Sequence, residues 1–412
     1  MDRLDRVITV ILGGGRGTRL MPLTLMRSKP AVSFGGKYRL VDIPISNCLH
    51  AGLTKVFVLT QFNSYSLNRH VHSSYVMKDF RNSFVEVFAA EQTPDNAEWF
   101  QGTADAVRQV MGHLRAYNPT HVLILSGDQL YTMDLREFVL SHMDSQEAIT
   151  VATTAVGRES AKGFGIMRTQ GGRITEFVEK PKDEALLDSL AQPDGNFLAS
   201  MGIYVFCYDT LEKLLTTHAT CTDFGREIIP AALKEEPVRA FRHEGYWEDI
   251  GTISSFYEAN LMLTKRVPEV ELYDPARPIY TNARYLPPSR LSACQVTDSM
   301  ICDGCYINGA RIERSVIGIR SVIGNGTSIS DSIVMGADEY DFRNPPPGKL
   351  PQAIGQGVTI RRAIIDKGAR IGADVSLVNE KGLDEYMDDY VHIHEGIIVV
   401  PRETMIPSGY RI

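Results

Sequence analysis

An aliphatic residue recurs every five or six positions over much of the last third of the chain. The ladder comprises Ile301, Ile307, Ile312, Ile317, Ile323, Ile329 and Val334, then Ile354, Ile360, Ile365, Ile371 and Leu377. An amphipathic helix would repeat about every 3.6 residues, and a half-buried strand every second residue. A period near six is instead typical of a parallel β-helix, in which three short strands complete one triangular coil. The interruption at 336–350, with Pro345-Pro346-Pro347, predicts a loop outside the coil.

The chain before the ladder has a different texture, in which strand-like and helix-like segments alternate. The apolar runs are Val7–Leu12, Val56–Thr60, His121–Ser126, Ile149–Val156 and Gly202–Cys207, and the helical patterns are Ala104–Tyr117, Leu135–Ser145, Asp209–Thr217 and Ile253–Arg266. This alternation predicts an α/β domain with a mainly parallel sheet. We expect this domain to span residues 1–266, a Pro-rich linker to span 267–290, and the β-helix domain to span 291–412.

Composition narrows the function classes. The 412 residues are 43% hydrophobic and 23% charged, which excludes a largely disordered chain. A net charge of −7 argues against a nucleic-acid binder. Since no stretch approaches the roughly 20 apolar residues of a membrane helix, we expect no membrane partner. The first apolar run, Val7–Leu12, is too short for a signal peptide, so we expect a cytoplasmic protein.

The cysteines Cys302 and Cys305 have the CxxC spacing of some zinc and redox sites. No second CxxC or histidine pair completes such a site, and the pair lies within the ladder, where small residues are common. We therefore interpret both cysteines as structural.

The most informative motif is the glycine-rich segment that follows the first apolar run, Gly13-Gly14-Gly15-Arg16-Gly17-Thr18-Arg19-Leu20. It is not a P-loop, because no Lys-Ser/Thr pair follows, and Thr18 stands where a dinucleotide fingerprint needs its third glycine. Glycines let backbone N–H groups approach an anion closely. With Arg19 and Lys29 downstream, the segment indicates a polyphosphate site.

Several motifs together resemble the sugar-nucleotide pyrophosphorylase family, and in particular its glucose-1-phosphate adenylyltransferases. They are Gly13–Leu20, Arg27-Ser28-Lys29-Pro30, Phe34–Cys48, Leu59–Phe62, Gly102–Ala106, Ser126–Tyr131, Phe177–Pro181, Ala199–Tyr204 and Tyr246–Thr252. The resemblance implies a Rossmann-like (GT-A-like) α/β nucleotidyltransferase domain on a mixed sheet, then a left-handed parallel β-helix domain used for regulation and oligomerisation. It also implies a homotetramer.

The activity that the resemblance implies is transfer of the adenylyl group of ATP to α-D-glucose 1-phosphate, which yields ADP-glucose for glycogen or a starch-like glucan. Arg19 and Lys29 match the cations that bind the triphosphate. Asp128 and Asp249 match the aspartates that bind Mg²⁺ against phosphate oxygens. Arg19, Lys29 and Asp128 are the residues we expect to be catalytic.

Further residues match the substrate sites of the family. Those of the glucose 1-phosphate site are Phe100, Gly165, Glu179, Lys180 and Ser200. Those of the nucleotide site are Gly14, Gly15, Gly17, Thr18, Gln61, Gly102 and Thr103. The family often has tyrosine where this chain has Phe100, so one hydroxyl is missing. The amide of Gln61 would read the adenine edge, because it donates and accepts hydrogen bonds.

Regulation departs from the family pattern. Members activated by fructose 1,6-bisphosphate carry a lysine where this chain has Met26. The activator lysines of cyanobacterial and plant members match His394 and Arg402. The resemblance implies a small anionic effector bound between the domains, with Arg402 and Arg39 as contacts, and leaves its identity open.

Three alternatives stay open. The enzyme could transfer a nucleotidyl group from UTP or dTTP instead of ATP. The chain could be a catalytically silent regulatory subunit, although Arg19, Lys29, Asp128 and Asp249 are all present. An acyltransferase would suit the β-helix, but it leaves residues 1–266 unexplained, and no catalytic histidine lies within the ladder.

Overall fold

The computed structural model describes residues 2–76, 83–92 and 98–412, and its packing divides the chain into two units. The first unit contains Met1–Gly15 and Val41–Trp247, and the second contains Arg16–Leu40 and Glu248–Ile412. Arg16–Leu40, which completes the glycine-rich motif, therefore packs with the C-terminal part of the chain.

The bounds of the elements in the first two thirds of the chain are as follows. The strands are β1 (Val7–Leu12), β2 (Ser33–Phe34), β3 (Tyr38–Arg39), β4 (Lys55–Thr60), β5 (Phe84–Ala89), β6 (His121–Ser126), β7 (Gln129–Tyr131), β8 (Ile149–Val156), β9 (Gly165–Gln170), β10 (Arg173–Glu179), β11 (Phe197–Cys207), β12 (Val238–Arg242) and β13 (Trp247–Asp249). The helices are α1 (Asp42–His50), α2 (Tyr65–Ser74), α3 (Thr103–Arg115), α4 (Leu135–Ser145), α5 (Arg158–Ala161), α6 (Glu184–Ser189), α7 (Tyr208–Thr217), α8 (Ile229–Glu235) and α9 (Ile253–Met262). Single 3-10 turns occupy Thr18–Leu20 and Lys29–Ala31, and a π-helical turn occupies Phe224–Ile228.

A sheet in the order β5-β4-β1-β6-β11-β8-β12-β10-β9 forms the centre of the first unit. The strands β5, β4, β1 and β6 are parallel, whereas β11 runs antiparallel to β6, β8 and β9. The sheet is therefore mixed, as the family resemblance implied, and our expectation of a mainly parallel sheet was wrong. Apolar runs predict that strands exist but not their directions.

One local feature does specify antiparallel pairing. Gly171 and Gly172 join β9 to β10, and their φ angles are 59° and 82°. Two consecutive residues at positive φ form the tight turn of a β-hairpin, and glycine adopts this conformation without steric cost. The turn makes β9 and β10 antiparallel neighbours.

The core of the first unit follows from the apolar patterns. The strands β1 and β6 are buried on both faces because helices cover the sheet, which explains their continuous apolar runs. Helix α3 buries Ala104, Val107, Val110, Met111 and Leu114, which recur at helical spacing on one face. The predicted strands Val7–Leu12, His121–Ser126 and Ile149–Val156 are confirmed at these bounds.

The second unit contains the predicted β-helix. Its strands are β14 (Arg290–Ser292), β15 (Gln295–Thr297), β16 (Met300–Ile301), β17 (Tyr306–Asn308), β18 (Arg311–Glu313), β19 (Val316–Ile317), β20 (Val322–Ile323), β21 (Ser328–Val334), β22 (Thr359–Ile365), β23 (Arg370–Ile371), β24 (Ser376–Leu377), β25 (Glu385–Met387), β26 (His392–His394), β27 (Ile397–Val400) and β28 (Met405–Ile406). Arg290 pairs in parallel with Tyr306, and Tyr306 with Val322, so each of these coils advances by sixteen residues.

The aliphatic ladder lies inside this coil. Rungs from Ile307 to Leu377 form one buried cluster, with Ile301 packed at its border. The predicted loop at 336–350 lies between β21 and β22, and the ladder resumes where Ile354 bridges to both Ile323 and Ile371. A second excursion forms the antiparallel strands β25 and β26, and β26 pairs with β27, which is parallel to β22 in the coil.

The cysteine pair in the coil is packed as expected of structural residues. The thiol of Cys305 is directed at the carbonyl oxygen of Gly318, at 3.3 Å, and that of Cys302 at the carbonyl oxygen of Gly35. Burial raises the pKa of Cys302 to about 12, so its thiol stays protonated at neutral pH. None of the helices among residues 2–76, 83–92 and 98–412 is long and apolar enough to cross a membrane.

Candidate active site

The carboxyl ends of three parallel strands carry predicted site residues. Gly14 and Gly15 follow β1, Gln61 follows β4, and Asp128 follows β6. The three strands are adjacent in the sheet, so their ends meet at one edge. In an α/β fold, this edge is where phosphorylated ligands bind.

Gly14 and Gly15 differ in what surrounds them. A Cβ atom at Gly14 would contact the side chains of Gln61 and Phe100, at 3.6 and 3.8 Å. A Cβ atom at Gly15 would have nothing within 4 Å among the described residues. The backbone at Gly15 is thus open on the side where a ligand would approach, while Gly14 packs against the residues beside it.

Gln61 holds a fixed orientation with one unused acceptor. Its Nε2 donates to the backbone oxygen of Phe100 at 3.1 Å, which determines which end of the amide is the oxygen. Its Oε1 is buried and has no hydrogen-bond partner in the described part of the chain. An unsatisfied buried acceptor is costly, so this atom is suited to a ligand that donates a hydrogen bond.

Asp128 is half-buried at the end of β6. The hydroxyl of Ser126 donates to its Oδ1, and the backbone N–H of Gly127 donates to the carbonyl oxygen of Leu12 at 3.0 Å. The next side chain, Gln129, accepts from the indole Nε1 of Trp247 at 3.1 Å. These contacts fix the backbone that carries the carboxylate.

A second group of predicted residues surrounds Glu179 in the first unit. Gly165 is the register partner of Glu179 across β9 and β10, and a Cβ atom there would lie 2.8 Å from Glu179 Oε2. A Cβ atom at Gly225 would lie 2.9 Å from the same oxygen. A Cβ atom at Gly165 would also collide with the ring of Phe177, so a larger residue at either position would displace Glu179 or Phe177. The hydroxyl of Ser200 interacts with Tyr204, whose pKa the nearby charge of Glu179 helps to raise.

Lys180 lies beside Glu179 in a strained backbone conformation. Its φ angle is 49°, which is uncommon for a residue other than glycine, and its N–H donates to Phe164 O at 2.9 Å. Its Nζ lies 3.8 Å from Glu179 Oε1. Burial raises the pKa of Glu179, whereas the Lys180 ammonium opposes that shift. Strained residues of this kind are concentrated at functional sites.

Three other predicted residues make contacts within the first unit. Phe100 packs with Gly14 and Gln61. The hydroxyl of Thr103 is used internally, because it donates to Asp223 and accepts from the N–H of Phe224. Gly102 packs against the backbone of Thr222, where any Cβ atom would collide.

The remaining predicted residues of the catalytic chemistry lie in the second unit, where Lys29 contacts Asp249. Lys29 is 8% exposed, and its Nζ lies 3.4 Å from Asp249 Oδ1. A Cβ atom at Gly251 would lie 2.8 Å from Asp249 Oδ2 and 3.2 Å from Arg19 Nη2. Arg19, Lys29 and Asp249 therefore converge around the backbone of Gly251.

The segment that carries Arg19 is shaped by Gly17. Gly17 has φ of 63°, and its carbonyl oxygen accepts from the hydroxyl of Thr24 at 2.8 Å. Thr18 and Arg19 follow in an exposed 3-10 turn. The positive φ explains the glycine, and the exposed turn leaves the Arg19 guanidinium on the surface of its unit.

Two of the three predicted regulatory residues are close together in the second unit. Arg402 Nη2 donates to Asp338 Oδ2 at 3.0 Å, and Arg39 contributes to the lowered pKa of Asp338. Lys367 Nζ lies 2.8 Å from Asp338 Oδ1. His394 lies elsewhere, on β26, where its Nδ1 is 2.9 Å from Glu385 Oε2.

Lys367 was not predicted from the sequence to be a functional residue. Its side chain is 3% exposed, and burial lowers its pKa to about 8. The charges of Arg39 and Arg284 lower this pKa further. We call Arg39, Lys367 and Arg402 the cation cluster. In the sequence, Lys367 lies between the rungs Ile365 and Ile371. A charged residue at such a position is not expected to be buried, so the sequence did not indicate its role.

Two family models match the chain. The model for nucleotidyl transferases matches residues 8–266, and the model for the GLGC left-handed parallel beta-helix domain matches residues 284–410. The matches confirm the two predicted folds and their order, and the first covers more than half of the chain. The chain therefore belongs to the nucleotidyl transferase family, and its two domains together have the architecture of glucose-1-phosphate adenylyltransferase.

Proposed function

We propose that this nucleotidyltransferase uses ATP and α-D-glucose 1-phosphate as its substrates. A phosphate oxygen of the sugar phosphate attacks the α-phosphorus of ATP, the bond from that phosphorus to the bridging oxygen breaks, and pyrophosphate leaves. The products are ADP-glucose and pyrophosphate. ADP-glucose would then serve as the donor for an α-glucan such as glycogen.

The observation that supports adenine is the unused acceptor of Gln61. Its Oε1 is buried without a partner, and its Nε2 is held by Phe100 O. The exocyclic amino group of adenine donates a hydrogen bond, whereas uracil and thymine present a carbonyl oxygen at the corresponding position. A carbonyl there would leave two acceptors facing each other, so Gln61 favours ATP over UTP or dTTP.

The phosphate chain would be bound by the glycine-rich segment and by two cations. The open backbone at Gly15 allows N–H groups to approach phosphate oxygens. Arg19 and Lys29 would neutralise the charge that develops on the leaving pyrophosphate. Such a displacement needs positioning and charge stabilisation more than covalent help from the protein.

Asp128 and Asp249 each offer a carboxylate, which is the kind of hard oxygen ligand that Mg²⁺ binds while it keeps several waters. Both side chains are half-buried and are held by neighbours, Asp128 by Ser126 and Asp249 by Lys29. Bound there, Mg²⁺ would supply electrostatic stabilisation of the phosphate oxygens.

Glucose 1-phosphate would bind at the group around Glu179. The Glu179 carboxylate accepts hydrogen bonds from sugar hydroxyls, and the Lys180 ammonium pairs with the phosphate. Gly165 and Gly225 lie against this carboxylate and add no side chain of their own that would compete with a sugar ring. Ser200 lies near the same group through Tyr204.

The cation cluster would bind a small anionic effector. Arg39, Lys367 and Arg402 all lie near the carboxylate of Asp338, and three cations placed close together favour a phosphate or carboxylate ligand. Arg39 follows the catalytic segment by ten residues, so occupancy of the cluster would bias the ordering of Arg19 and Lys29. We expect the enzyme to act as a homotetramer in the cytoplasm.

A pyrophosphate-release assay tests the proposal. Purified protein with Mg²⁺ and glucose 1-phosphate receives ATP, UTP, dTTP, GTP or CTP in separate reactions, with mannose 1-phosphate and galactose 1-phosphate as control acceptors. We expect rapid release only with ATP and glucose 1-phosphate. Equal rates with UTP would refute the base assignment, and no release with any pair would support a silent regulatory subunit.

A further inference from the structure

Three metal-ligating side chains meet at the end of the sheet opposite the candidate active site. One ligand atom from each of His121, His142 and Cys207 lies within 4.8 Å of the other two. His121 begins β6 and Cys207 ends β11, and the two residues are direct partners in the antiparallel register. His142 comes from the last turn of α4. Sheet pairing and one helix therefore bring together residues far apart in sequence.

The geometry of His142 is that of a supported metal ligand. Its Nδ1 lies 2.8 Å from the hydroxyl oxygen of Thr150, and its Nε2 lies 3.9 Å from Cys207 Sγ. The ring is 1% exposed, so this contact fixes its orientation. A hydrogen bond from Nδ1–H to a neighbouring oxygen is the usual support for a histidine that binds metal through Nε2.

The other two side chains can adjust to a metal ion. Both are only half-buried, and the rings of His121 and His142 are 5.2 Å apart in an edge-to-face arrangement. Tetrahedral zinc, with ligand bonds of about 2.0–2.3 Å, needs ligand atoms about 3.3–3.8 Å apart. Contraction from the observed spacing requires movement of about 1 Å, which rotation of the Cys207 and His121 side chains supplies.

We propose that His121, His142 and Cys207 form a structural zinc site, with water in the fourth position. Two imidazoles and a thiolate are ligands that zinc prefers, whereas Mg²⁺ prefers oxygen ligands. On binding, the thiol loses its proton to solvent and Zn–S and Zn–N bonds form, with no change of oxidation state. The ion would tie α4 to the start of β6 and the end of β11.

The charged groups around these three residues favour a site that is neutral without metal and can accept a cation. Burial lowers the pKa of His142 to about 3, so its ring is uncharged at neutral pH. Asp209 and Glu236 place negative charge near Cys207. The positive charges of Arg3 and Arg239 act on His121 and His142 and disfavour a cation there. Arg3 is, however, paired with Asp144 at 2.8 Å. Burial and the carboxylates of Asp209 and Glu236 raise the pKa of the Cys207 thiol, so the thiol is protonated until it binds the ion.

The site is separate from the candidate catalytic metal ligands. His121 and Ser126 are the two ends of β6, so they are about 17 Å apart along the strand. Asp128 lies beyond Ser126. The zinc ion would therefore act on stability and leave the chemistry at the other end of the strand unchanged.

Cobalt titration tests the proposal, because Co²⁺ replaces zinc and reports its ligands by absorption. The full chain, freed of metal and kept in excess Mg²⁺ to occupy carboxylate sites, is titrated with Co²⁺. We expect one equivalent to produce a thiolate-to-cobalt charge-transfer band and the visible bands of tetrahedral Co²⁺. Both should disappear in Cys207→Ser, weaken at least tenfold in affinity in His121→Gln, and persist in Cys221→Ser, which removes another half-buried thiol of the same unit.

Thermal unfolding provides the second measurement. Zinc should raise the Tm of the wild-type chain by a few degrees and leave the Tm of Cys207→Ser unchanged. If Cys207→Ser fails to fold, the Tm of His121→Gln with and without zinc is measured instead. Absence of the charge-transfer band in the wild type, or an equal band in Cys207→Ser, would overturn the proposal and leave His142 as a core histidine bonded to Thr150.

Discussion

One terminal guanidinium nitrogen of Arg27 donates to both carboxylate oxygens of Asp366, at 2.7 Å each, and both side chains are 1% exposed. Arg27 lies two residues before Lys29, and Asp366 lies at the end of β22 in the β-helix. The pair therefore joins the segment that carries Lys29 to the coil within the second unit. Burial of two charges gains little net stability, which favours a positioning role for this pair.

The first prediction concerns this pair. Arg27→Met leaves Asp366 as an uncompensated buried charge, and it should cost about 3–5 kcal/mol in the free energy of unfolding. The double variant Arg27→Met/Asp366→Leu should recover most of that loss, because no buried charge is left unpaired. Urea unfolding of the full chain is measured for the wild type, Arg27→Met, Asp366→Leu and the double variant. A double variant as unstable as the sum of its single variants would contradict the account.

The second prediction concerns Asp128. Asp128→Asn removes one charge from the proposed metal ligands without changing their shape, so kcat should fall by about 10²–10³-fold. Asp134→Asn is the matched control, because asparagine also caps the helix that Asp134 begins. Steady-state kinetics measures kcat for both variants. Near-normal turnover of Asp128→Asn would remove this residue from the metal site.

The third prediction separates the two substrates. Lys180→Ala should raise KM for glucose 1-phosphate roughly 10- to 100-fold, since loss of a charged hydrogen bond costs about 1.5–3 kcal/mol. KM for ATP should change much less. The exposed Lys182, changed to alanine, controls for a general loss of positive charge. A parallel rise in both KM values would mean that Lys180 has a structural role.

The fourth prediction is a pH dependence of activation. Folding lowers the pKa of Lys367 to about 8, so its ammonium is charged below that pH and neutral above it. Affinity for an anionic activator should therefore decline as the pH rises through about 8. Lys367→Gln should bind the activator weakly and without this transition. A wild-type activation constant that stays the same from pH 7 to 9 would exclude Lys367 as a contact.

The fifth prediction compares Arg402 and His394, the two C-terminal residues predicted to contact the activator. Arg402→Ala should weaken activation, whereas His394→Ala should not, because Arg402 belongs to the cation cluster and contacts Asp338, while His394 is paired with Glu385. Activation constants for 3-phosphoglycerate, fructose 6-phosphate, fructose 1,6-bisphosphate and pyruvate provide the test. With Met26 in place of a lysine, fructose 1,6-bisphosphate should be the weakest. Equal constants in Arg402→Ala and the wild type would remove Arg402 from the site.

The sequence was most informative where one pattern repeats. The rungs from Ile307 to Leu377 are buried because a coil of short strands directs one aliphatic residue inward at each side, and the spacing alone reveals this. Strand direction was not recoverable from apolar runs, because burial does not depend on direction. The two glycines at 171–172 were the local evidence for a hairpin.

The sequence predicted which residues belong to the candidate site, but it did not predict which atoms these residues contact. Motifs identified Gln61, but only the structure shows that one end of its amide is held and the other is unused. The contact of Arg27 with Asp366 joins residues from distant parts of the chain, and that of Lys367 with Asp338 spans the loop at 336–350. No local spacing encodes either contact, since the first arises from how the coil and the segment 16–40 pack and the second from where the loop leaves the coil.

The most direct test of the account is a competition between nucleotides for one enzyme. Equimolar ATP, UTP and dTTP are mixed with Mg²⁺ and limiting glucose 1-phosphate, and the sugar nucleotides are separated by chromatography and identified by mass. Under competition the product ratio equals the ratio of kcat/KM values. We expect ADP-glucose to exceed UDP-glucose and dTDP-glucose by at least about tenfold, the factor expected when one buried acceptor of Gln61 faces another acceptor. Comparable amounts of the three products, or an excess of UDP-glucose, would contradict it.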